Sequence, residues 1–564
     1  MPGKTAFRIA LIADAHFHDP AGDFGIGLMQ DGRRLALRSW AQTATAGRAF
    51  NESAPALIAA LDRITAAGIR HVVLAGDYTD DGQAENIRRL VALLHRYRHL
   101  HGLRFYAIPG NHDLYAIAGK HVATRFLTAP GISTLVTSDP DTAQTEAGAV
   151  LTPAMRCAGA TDALPPMVAF GLFRQPEDLH WESPFGPSDT LADRSYVAAS
   201  ADGSTRHRLT DASYLVEPEP GLWLLMIDAT VFEPRPGIAD PHRKRAFLDP
   251  ANGGWNAVLR VKPFLLAWIA SVTARARAMG KVLVPVSHYP VLPPFAAADE
   301  GLLFGTTPLS RRIPGPAVAQ ALIAAGLRFH LGGHLHVNCQ TEQAGLTDVS
   351  MPSTTAFPPA FTILTAGPDQ MTAKAVSLAD ISSDTALRAL YHAEGAPDLP
   401  PDFGGFLAAQ FRARVRHHRL PRDLPPPVLA AVRGMDLHDL LALLTPEPLS
   451  AFAQRHRLHL TVDQTFLTAC DVIADGLMLR EGGDLAALPD NRVALCRALA
   501  ADFGHAAAHP RGGHDDLGGT MNDCGQVNAT HPILSPATWI RLFLSGVAVS
   551  LRQIDDRTVL RDRP

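Results

Sequence analysis

The feature that most constrains the fold of this chain is a regular alternation of apolar runs and amphipathic segments near its start. Short apolar runs at Phe7–Ala13, Val72–Ala75 and Phe105–Ile108 predict buried strands. The segments between them have helical spacing, the first from Ser53 to Gly68 and the second from about Ala84 to Gly102. Strands joined by helices in this order favour parallel crossover connections. We therefore predict an α/β fold built on a layered sheet.

Motifs rich in aspartate and histidine follow these strands and two later apolar runs. In chain order they are Asp14-Ala15-His16, Gly76-Asp77-Tyr78-Thr79-Asp80, Gly110-Asn111-His112-Asp113, His288 and Gly333-His334-Leu335-His336. Ligands of layered α/β sheets bind beyond the carboxyl ends of the strands, so we expect these side chains to meet there. Each motif alone is most often an ordinary polar turn. Together they offer carboxylate, amide and imidazole side chains, which are the usual ligands of metal sites in proteins.

In residue type and order, these motifs resemble the calcineurin-like metallophosphoesterases, a superfamily of two-metal hydrolases of phosphate esters. The resemblance extends from residue 1 to about residue 375. It implies a layered metallophosphoesterase β-sandwich flanked by helices, and an active site with two divalent or mixed-valence metal ions. Ligands of this kind suit iron, manganese, zinc or cobalt.

The same resemblance implies a role for individual residues. One metal would be held by Asp14, His16, Asp77 and His336, and the other by Asp77, Asn111, His288 and His334. Asp77 would therefore bridge the two ions. The catalytic residues would be His112, which donates a proton or a hydrogen bond to the leaving oxygen, and Asp80, which holds the imidazole of His112.

A basic stretch with Arg33, Arg34 and Arg38 lies between the first strand and the first helix. Its simplest interpretation is a solvated surface, and it also holds our candidates for contacts with the substrate phosphate. His18, just after the first motif, is interpreted as an ordinary loop histidine.

Differences from the motifs of several metallophosphoesterase families narrow the choice of branch within the superfamily. Asp81 and Asp113 stand where the Ser/Thr protein phosphatases have Arg and Glu. Asp80 stands where purple acid phosphatases place a tyrosine ligand, and His112 where lipid-A-pathway pyrophosphohydrolases carry Arg. The remaining pattern is similar to bacterial phosphodiesterases and broad-specificity phosphoesterases.

The predicted function is therefore hydrolysis of a small or lipid-derived phosphodiester by attack of a metal-bound hydroxide at a two-metal centre. A phosphomonoesterase using the same site is the main alternative. A nuclease and a non-catalytic scaffold are less favoured, because the formal net charge is −4 and every expected ligand is present.

Composition limits the other classes of protein. The five cysteines are scattered and lack CxxC spacing, which argues against a disulfide framework and a thiolate zinc site. The late apolar stretch Ile540–Leu551 is shorter than the ~20 residues of a bilayer span. Met1–Thr5 has no signal-peptide pattern, so we expect a cytoplasmic protein. The sequence leaves the oligomeric state open.

The chain is predicted to have two domains. Residues 1–378 would form the metallophosphoesterase domain, with an insertion or cap at about 114–220, and residues 379–564 a mainly helical domain whose role is open. In that tail, His505 and His509 have the i, i+4 spacing of a chelating pair but are interpreted as ordinary histidines. The Gly- and Asp-rich stretch Gly512–Cys524 is interpreted as a structural loop.

Overall fold

The computed structural model describes residues 6–503 except 31, 244, 295–310, 369 and 425, together with a few residues between 537 and 551. His505, His509 and Gly512–Cys524 lie outside the described residues. The chain divides into two compact units. The first contains Met1–Pro294 and Pro308–Phe411, and the second contains Phe295–Thr307 and Arg412–Pro564. The predicted domain boundary near residue 378 stays a prediction.

All strands of the described residues belong to the first unit. In chain order they are β1 (Phe7–Ile12), β2 (Leu28–Gln30), β3 (Arg33–Leu35), β4 (His71–Ala75), β5 (Arg104–Ile108), β6 (Ala123–Ala129), β7 (Ile132–Thr137), β8 (Val150–Leu151), β9 (His180–Glu182), β10 (Ser195–Ala199), β11 (Arg206–Thr210), β12 (Tyr214–Glu219), β13 (Leu222–Ile227), β14 (Val282–Ser287), β15 (Phe329–Gly332), β16 (Cys339–Gln343), β17 (Leu346–Ser350), β18 (Ala360–Ala366) and β19 (Met371–Ser377).

The α-helices of the described residues lie between these strands and beyond them. They are α1 (Trp40–Thr45), α2 (Ser53–Ala66), α3 (Ala84–His101), α4 (Pro140–Ala143), α5 (Ala160–Ala163), α6 (Gly254–Val261), α7 (Phe264–Ala278), α8 (Pro316–Ala324), α9 (Thr385–Ala393), α10 (Phe403–Arg414), α11 (Leu420–Asp423), α12 (Pro426–Gly434), α13 (Leu437–Leu444), α14 (Leu449–Arg455), α15 (Val462–Thr465), α16 (Ala469–Gly482) and α17 (Asp490–Phe503).

Two sheets dominate the first unit. The five-stranded sheet has the order β19-β18-β1-β4-β5, and the seven-stranded sheet has the order β16-β17-β15-β14-β13-β12-β9. In the first sheet β1, β4 and β5 run parallel, with Ala10 opposite Val72 and Val72 opposite Phe105. In the second sheet β13, β14, β15 and β17 run parallel. The predicted α/β sandwich with parallel crossovers is confirmed.

A shared apolar core explains why the strands of both sheets have continuous hydrophobic runs. Every residue of β4 and of β13 is buried, as expected for strands that are covered on both faces. The core includes Leu11 of β1, Leu225 of β13 and Leu61 of α2. The helices end where the sequence predicts, since Gly68 and Gly102 adopt the left-handed conformation that stops a helix.

The segment from residue 114 to residue 220, for which an insertion is predicted, contains several separate pieces. β6, β7 and β8 form a three-stranded sheet, and β10 pairs with β11. In contrast, β9 and β12 join the seven-stranded sheet, so the end of this segment is part of the sandwich. The weak periodicity of these short strands did not indicate their pairing.

The region after β19 is helical, as predicted. Helix α9 and most of α10 belong to the first unit, and the later helices form the second. In the second unit, α16 is buried along almost its whole length. Its buried Asp475 accepts hydrogen bonds from Arg412 and Arg492, which compensates the charge inside this helical unit.

The described residues contain no single helix that is long and apolar enough to cross a bilayer. Helices α6 and α7 reach the length and apolar composition of a membrane span only when they are taken together, and the pair is bent by 98°. Leu265, Ile269 and Val272 of α7 are buried in the core of the first unit, which accounts for their apolar character.

Candidate metal centre

The ends of the parallel strands bring the predicted metal ligands together. Asp14 follows β1, Asp77 follows β4, Asn111 follows β5, and His288 follows β14. Three overlapping groups of side chains have ligand atoms within 4.8 Å of one another. The first group is Asp14, His16 and His336; the second is Asp77, His288 and His334; and the third, His16, Asp77 and His112, overlaps both. Asn111 Oδ1 lies 3.2 Å from His288 Nε2. All seven predicted ligands therefore lie at one site.

The first group has nitrogen and oxygen atoms that face one another. His16 Nε2 lies 3.1 Å from His336 Nε2, and His336 Nε2 lies 3.3 Å from Asp14 Oδ1. Two neutral imidazoles cannot both satisfy a carboxylate and each other through these atoms unless a cation or an extra proton lies between them. This donor set fits a metal ion.

The second group shows which histidine atoms are available to a metal. His288 Nδ1 must donate to the carbonyl oxygen of Ala75, 3.1 Å away, because that oxygen only accepts. Neutral His288 then presents the lone pair of Nε2 toward Asp77 Oδ2, 3.2 Å away. His334 Nε2 lies 3.0 Å from the carbonyl oxygen of Ala251, which leaves Nδ1 as its ligand atom. The second group therefore brings together the oxygens of Asp77 and Asn111 and the ring-nitrogen lone pairs of His288 and His334. All four atoms are electron-pair donors, so a cation fits between them.

Asp77 lies between the two groups. Its Oδ2 is 3.9 Å from His16 Nε2 and 3.2 Å from His288 Nε2. Its Oδ1 accepts a hydrogen bond from the backbone amide of His112 at 2.8 Å. One carboxylate oxygen is therefore held by the backbone, and the other is directed at both groups, as a bridging ligand requires.

The backbone at this site is in an unusual conformation. Positive φ values occur at Asp14 (51°), His16 (41°), Asp77 (47°), His334 (71°) and His336 (56°). Left-handed backbone costs about 1–3 kcal/mol at each non-glycine residue and is concentrated at functional sites. Hydrogen bonds between turns hold it here, since Asp14 N donates to Gly76 O and His16 N donates to Asp77 O. In this strained backbone conformation, the ligand side chains of the turns face one another.

Two glycines make room for the ligands. A Cβ on Gly76 would collide with the ring of His288, and a Cβ on Gly110 would collide with the carboxylate of Asp77. The glycines of the second and third motifs are thus required by close approach of ligand side chains to the backbone.

Burial and charge set the protonation of the ligands. Burial lowers the pKa of His16 and of His334 well below the usual histidine value, which favours the neutral form that binds metals. Burial opposes protonation of His288 too, but the Asp77 carboxylate outweighs it and raises the pKa of His288 to about 9. This buried negative charge at Asp77 attracts a proton or a metal to the second group.

His112 lies beside the two groups, and Asp81 holds it. His112 Nδ1 is 2.6 Å from Asp81 Oδ1, and its ring is 4.9 Å from the ring of His16. Burial lowers the pKa of His112, but the carboxylates of Asp77 and Asp81 outweigh this effect and raise it. The result is an imidazole that is oriented and favours its protonated form.

The prediction that Asp80 holds His112 is wrong in the structure. Asp80 is fully buried and is paired with Arg38 and Arg48, while Gln83 Nε2 donates to its Oδ2 at 3.1 Å. These cations outweigh burial and lower the pKa of Asp80. The turn directs Asp80 away from His112 and directs the next residue, Asp81, toward it, and spacing alone could not distinguish neighbouring carboxylates.

The three arginines proposed as substrate contacts lie in different environments. Arg33 and Arg34 are exposed on the β2–β3 hairpin. Arg38 is buried, is paired with Asp80, and stacks on Phe50 with its guanidinium carbon 3.8 Å from the ring centroid. Contact of any of these three with substrate stays a prediction.

Two further residues of the site were not identified from the sequence as parts of it. Asp113 is buried and accepts hydrogen bonds from Thr79 N, Thr79 Oγ1 and Gly110 N, so it ties the second motif to the third. Burial raises the pKa of Asp113 to about 7. Tyr289 Oη donates to Pro250 O at 2.8 Å and lies 3.4 Å from Asn111 Oδ1. Asp113 is the last residue of the Gly-Asn-His-Asp motif and Tyr289 directly follows His288. This position in the sequence was the signal that could have identified them.

His18 lies inside the protein and contacts its framework. Its Nε2 is 2.8 Å from the carbonyl oxygen of Ala36, and its ring stacks on Phe126 with centroids 5.6 Å apart. This position agrees with the interpretation of His18 as a structural loop histidine.

Comparison with known proteins gives a family match in the region that contains the first three motifs. Residues 7–137 match the model of the calcineurin-like phosphoesterase family. A search of the curated proteins finds no match.

Solved structures to which this chain is similar include a dimetal phosphatase from Danio rerio, with 14% identity, a TM-score of 0.36, and coverage of 66% of this chain and 96% of that one. A phosphopantetheinyl hydrolase from Mycobacterium tuberculosis has 12% identity, a TM-score of 0.24, and coverage of 63% and 91%. A putative 5′-nucleotidase from Staphylococcus aureus has 10% identity, a TM-score of 0.29, and coverage of 85% and 76%.

The family match covers the turns after β1, β4 and β5, and the predicted ligands from β14 and β15 complete the same cluster. Residues 7–137 are therefore similar to the calcineurin-like phosphoesterases, and the ligand cluster extends beyond this matched region.

Proposed function

We propose that this protein is a two-metal hydrolase that acts on a small or lipid-derived phosphodiester. The observation that carries the proposal is the position of Asp77, whose Oδ2 faces the histidines of both ligand groups beside the oriented imidazole of His112. When bound, two divalent cations supply positive charge for the phosphoryl oxygens and generate hydroxide at neutral pH.

The two ligand sets follow from the contacts of the site. Asp14, His16 and His336 would hold one cation with Asp77, and Asn111, His288 and His334 would hold the other with Asp77. Iron, manganese, zinc and cobalt all remain candidates, since mixed oxygen and imidazole ligands suit each of them.

His112 is proposed to protonate the leaving oxygen. Asp81 engages Nδ1, so the proton on Nε2 is the one available to a substrate. The backbone amide of His112 donates to Asp77 Oδ1 at 2.8 Å, which anchors the backbone of this residue beside the bridging carboxylate. General acid help of this kind contributes about 10²–10⁴-fold to a rate.

A diester is preferred over a monoester for one reason. Asp81 and Asp113 depart from the pattern of the Ser/Thr protein phosphatases, which hydrolyse monoesters. The monoesterase remains the second candidate because it would use the same ligands.

The test compares bis(p-nitrophenyl) phosphate with p-nitrophenyl phosphate after metal analysis of the purified protein. We expect two transition-metal ions per chain and a higher kcat/KM for the diester. Faster turnover of the monoester would replace the diester proposal with the monoesterase. Absence of hydrolysis of both esters by protein with two bound metals would overturn the phosphoesterase function itself.

The cytoplasmic location and the absence of a nucleic-acid partner stay predictions from the sequence. A salt-sensitive DNA-binding assay tests the second, because binding to phosphates would weaken steeply as salt rises.

A further inference from the structure

A segment between β3 and α2 carries two arginines to the edge of the site. We call residues 36–52 the arginine strap. It contains only the short helix α1 and otherwise has no regular structure. Its Arg38 and Arg48 both bind the carboxylate of Asp80, which is fully buried.

The two arginines of the strap differ in burial and in the use of their side-chain N–H donors. Arg38 is buried, and its backbone exchanges hydrogen bonds with the side chain of Asn51 at 2.9 Å. Arg48 uses Nε and Nη2 on Asp80, at 3.3 and 2.8 Å, and its side chain is 14% exposed. Its Nη1 has no hydrogen-bond partner among the described residues. One carboxylate meets two guanidinium groups, so Asp80 by itself balances only one of their two positive charges.

The positive charge of Arg48 acts on one predicted metal ligand and on the proposed acid. After burial, the Arg48 guanidinium is the next largest influence that lowers the pKa of His16, and it also opposes protonation of His112. Burial opposes the charge on Arg48, but the Asp80 carboxylate, with help from Asp81 and Asp77, outweighs it and raises the pKa of Arg48. Arg48 Nη2 also donates to the backbone carbonyl oxygen of Asp80 at 3.0 Å, and the next residue, Asp81, holds His112. The guanidinium of Arg48 therefore lies against the turn that orients the proposed acid.

Residues after β19 hold the strap in place. Gln410 of α10 donates through Nε2 to the carbonyl oxygens of Thr43 at 2.8 Å and of Arg48 at 3.0 Å. Glu394 Oε2 accepts a hydrogen bond from the backbone amide of Trp40 at 2.6 Å. An irregular segment of this length would otherwise lose much conformational entropy on ordering, so these buried contacts stabilise the conformation that directs Arg48 inward.

Tyr391 of α9 fixes the other end of the strap. Its Oη accepts a hydrogen bond from Asn51 Nδ2 at 2.7 Å and donates to Glu52 Oε1 at 3.0 Å. Its ring packs against Trp40 with centroids 5.7 Å apart. The helices that follow the sandwich thus contact both ends of the segment that carries Arg48.

We propose that Arg48 binds a non-bridging oxygen of the substrate phosphate, and that Gln410 of α10 is the positioning residue that holds Arg48 for this contact. The proposal rests on the proposed phosphoesterase function and adds a phosphate contact that lies outside the metal-ligand motifs. It also gives the helices immediately after the sandwich a role in the active site. Guanidinium binds phosphate oxygens strongly because its donors are fixed and always charged.

The test measures binding of inorganic phosphate to the full-length, manganese-loaded protein by isothermal titration calorimetry, with metal content determined in parallel. Arg48→Ala is expected to weaken phosphate binding about 10- to 100-fold, the usual effect of losing a hydrogen bond to a charged group. Arg48→Lys should lose less, because it keeps the charge and the pairing with Asp80. Metal content should stay at the wild-type value in both.

The control is Arg208→Ala, which removes an exposed arginine of β11 that donates only to Ser195 Oγ among the described residues. This variant should bind phosphate like the wild type. Equal losses in Arg48→Ala and Arg208→Ala, or wild-type affinity in Arg48→Ala, would overturn the phosphate contact. If Arg48→Ala does not fold, wild-type affinity in Arg48→Lys overturns it instead, since lysine cannot reproduce the guanidinium geometry.

Gln410→Ala tests the positioning role separately. We expect phosphate binding about 3- to 10-fold weaker, with KM for the diester raised more than kcat is lowered, because Arg48 is present but less well held. Wild-type phosphate affinity in this variant would overturn the role of Gln410.

The phosphate readout also separates this inference from the proposed function. Phosphate binding that depends on Arg48 without ester hydrolysis would remove the proposed enzyme activity, and with it the substrate role of this contact. Diester hydrolysis that is unchanged in Arg48→Ala would remove this inference and keep the enzyme.

Discussion

The ligand cluster and the arginine strap lie side by side, yet they are held in place in different ways. The ligands follow the ends of strands in two sheets, and their turns are joined by backbone hydrogen bonds such as His16 N to Asp77 O. The strap has little regular structure and depends on side chains that are distant in sequence, such as Gln410. Sheet register therefore determines the cluster, while individual side-chain contacts determine the strap.

The largest expected effect is on the cluster. Asp77→Ala should abolish turnover and remove both metals, because a shared carboxylate leaves both ligand sets at once. Metal analysis of the purified variant and hydrolysis of bis(p-nitrophenyl) phosphate check this. Retention of one full equivalent of metal would show that the two ligand groups are independent and that Asp77 does not bridge them.

His112→Ala separates catalysis from metal binding within the cluster. The rate should fall by about 10²–10⁴-fold with metal content near normal, because the variant loses the proton donor and keeps the ligands. Turnover and metal content are measured on the same preparation. Loss of the metals would instead make His112 a ligand and would contradict its role as the acid.

Asp80→Asn tests how far the strap depends on one counterion. It should lower the free energy of unfolding by about 3–5 kcal/mol, since Arg38 and Arg48 would lose their shared, fully buried carboxylate. Urea unfolding followed by tryptophan fluorescence measures the change. Asp81→Asn is the matched control, and because its carboxylate is partly open to solvent the change should affect stability by less than about 1 kcal/mol. Equal destabilisation by the two variants would contradict the difference between the neighbouring aspartates.

The smallest expected effect is on the pH dependence of stability, and it comes from Glu52 at the end of the strap. Burial raises the pKa of Glu52 to about 7, although hydrogen bonds from its own amide and from Tyr391 oppose this. The folded state therefore binds a proton more tightly than the unfolded state, and the stability contributed by that proton is lost as pH rises from about 4.5 to 7. Glu52→Gln should remove this dependence.

Thermal melting at pH 5 and pH 8 measures the effect of Glu52→Gln. The variant should gain stability at pH 8 by about 1–3 kcal/mol relative to the wild type and change little at pH 5, where the wild-type carboxyl is already protonated. Glu177→Gln, an exposed control, should show no such difference between the two pH values. An equal shift at both pH values would mean that Glu52 acts through packing and not through its charge.

The parts of the site that could be predicted are those that follow strands. Hydrophobic period and chain order were sufficient for β1, β4 and β5, and the turns after them brought Asp14, Asp77 and Asn111 together as expected. The partner of His112 was predicted incorrectly, because Asp80 and Asp81 differ by one position and the direction of each side chain depends on the turn. The pairing of β9 and β12 with the second sheet was also not indicated, since short strands carry too little periodicity.

The amino-acid sequence by itself determined the α/β class, the similarity of residues 7–137 to the calcineurin-like phosphoesterases, and the set of residues that converge on the ligand cluster. It did so because parallel strands must end at the same edge of a sheet, and the motif residues immediately follow those strands. Only the tertiary structure decided that Asp81 holds His112, that Asp80 binds two arginines, and that Gln410 contacts the strap. These contacts join residues up to several hundred positions apart or distinguish immediate neighbours, and local sequence patterns carry no information about either.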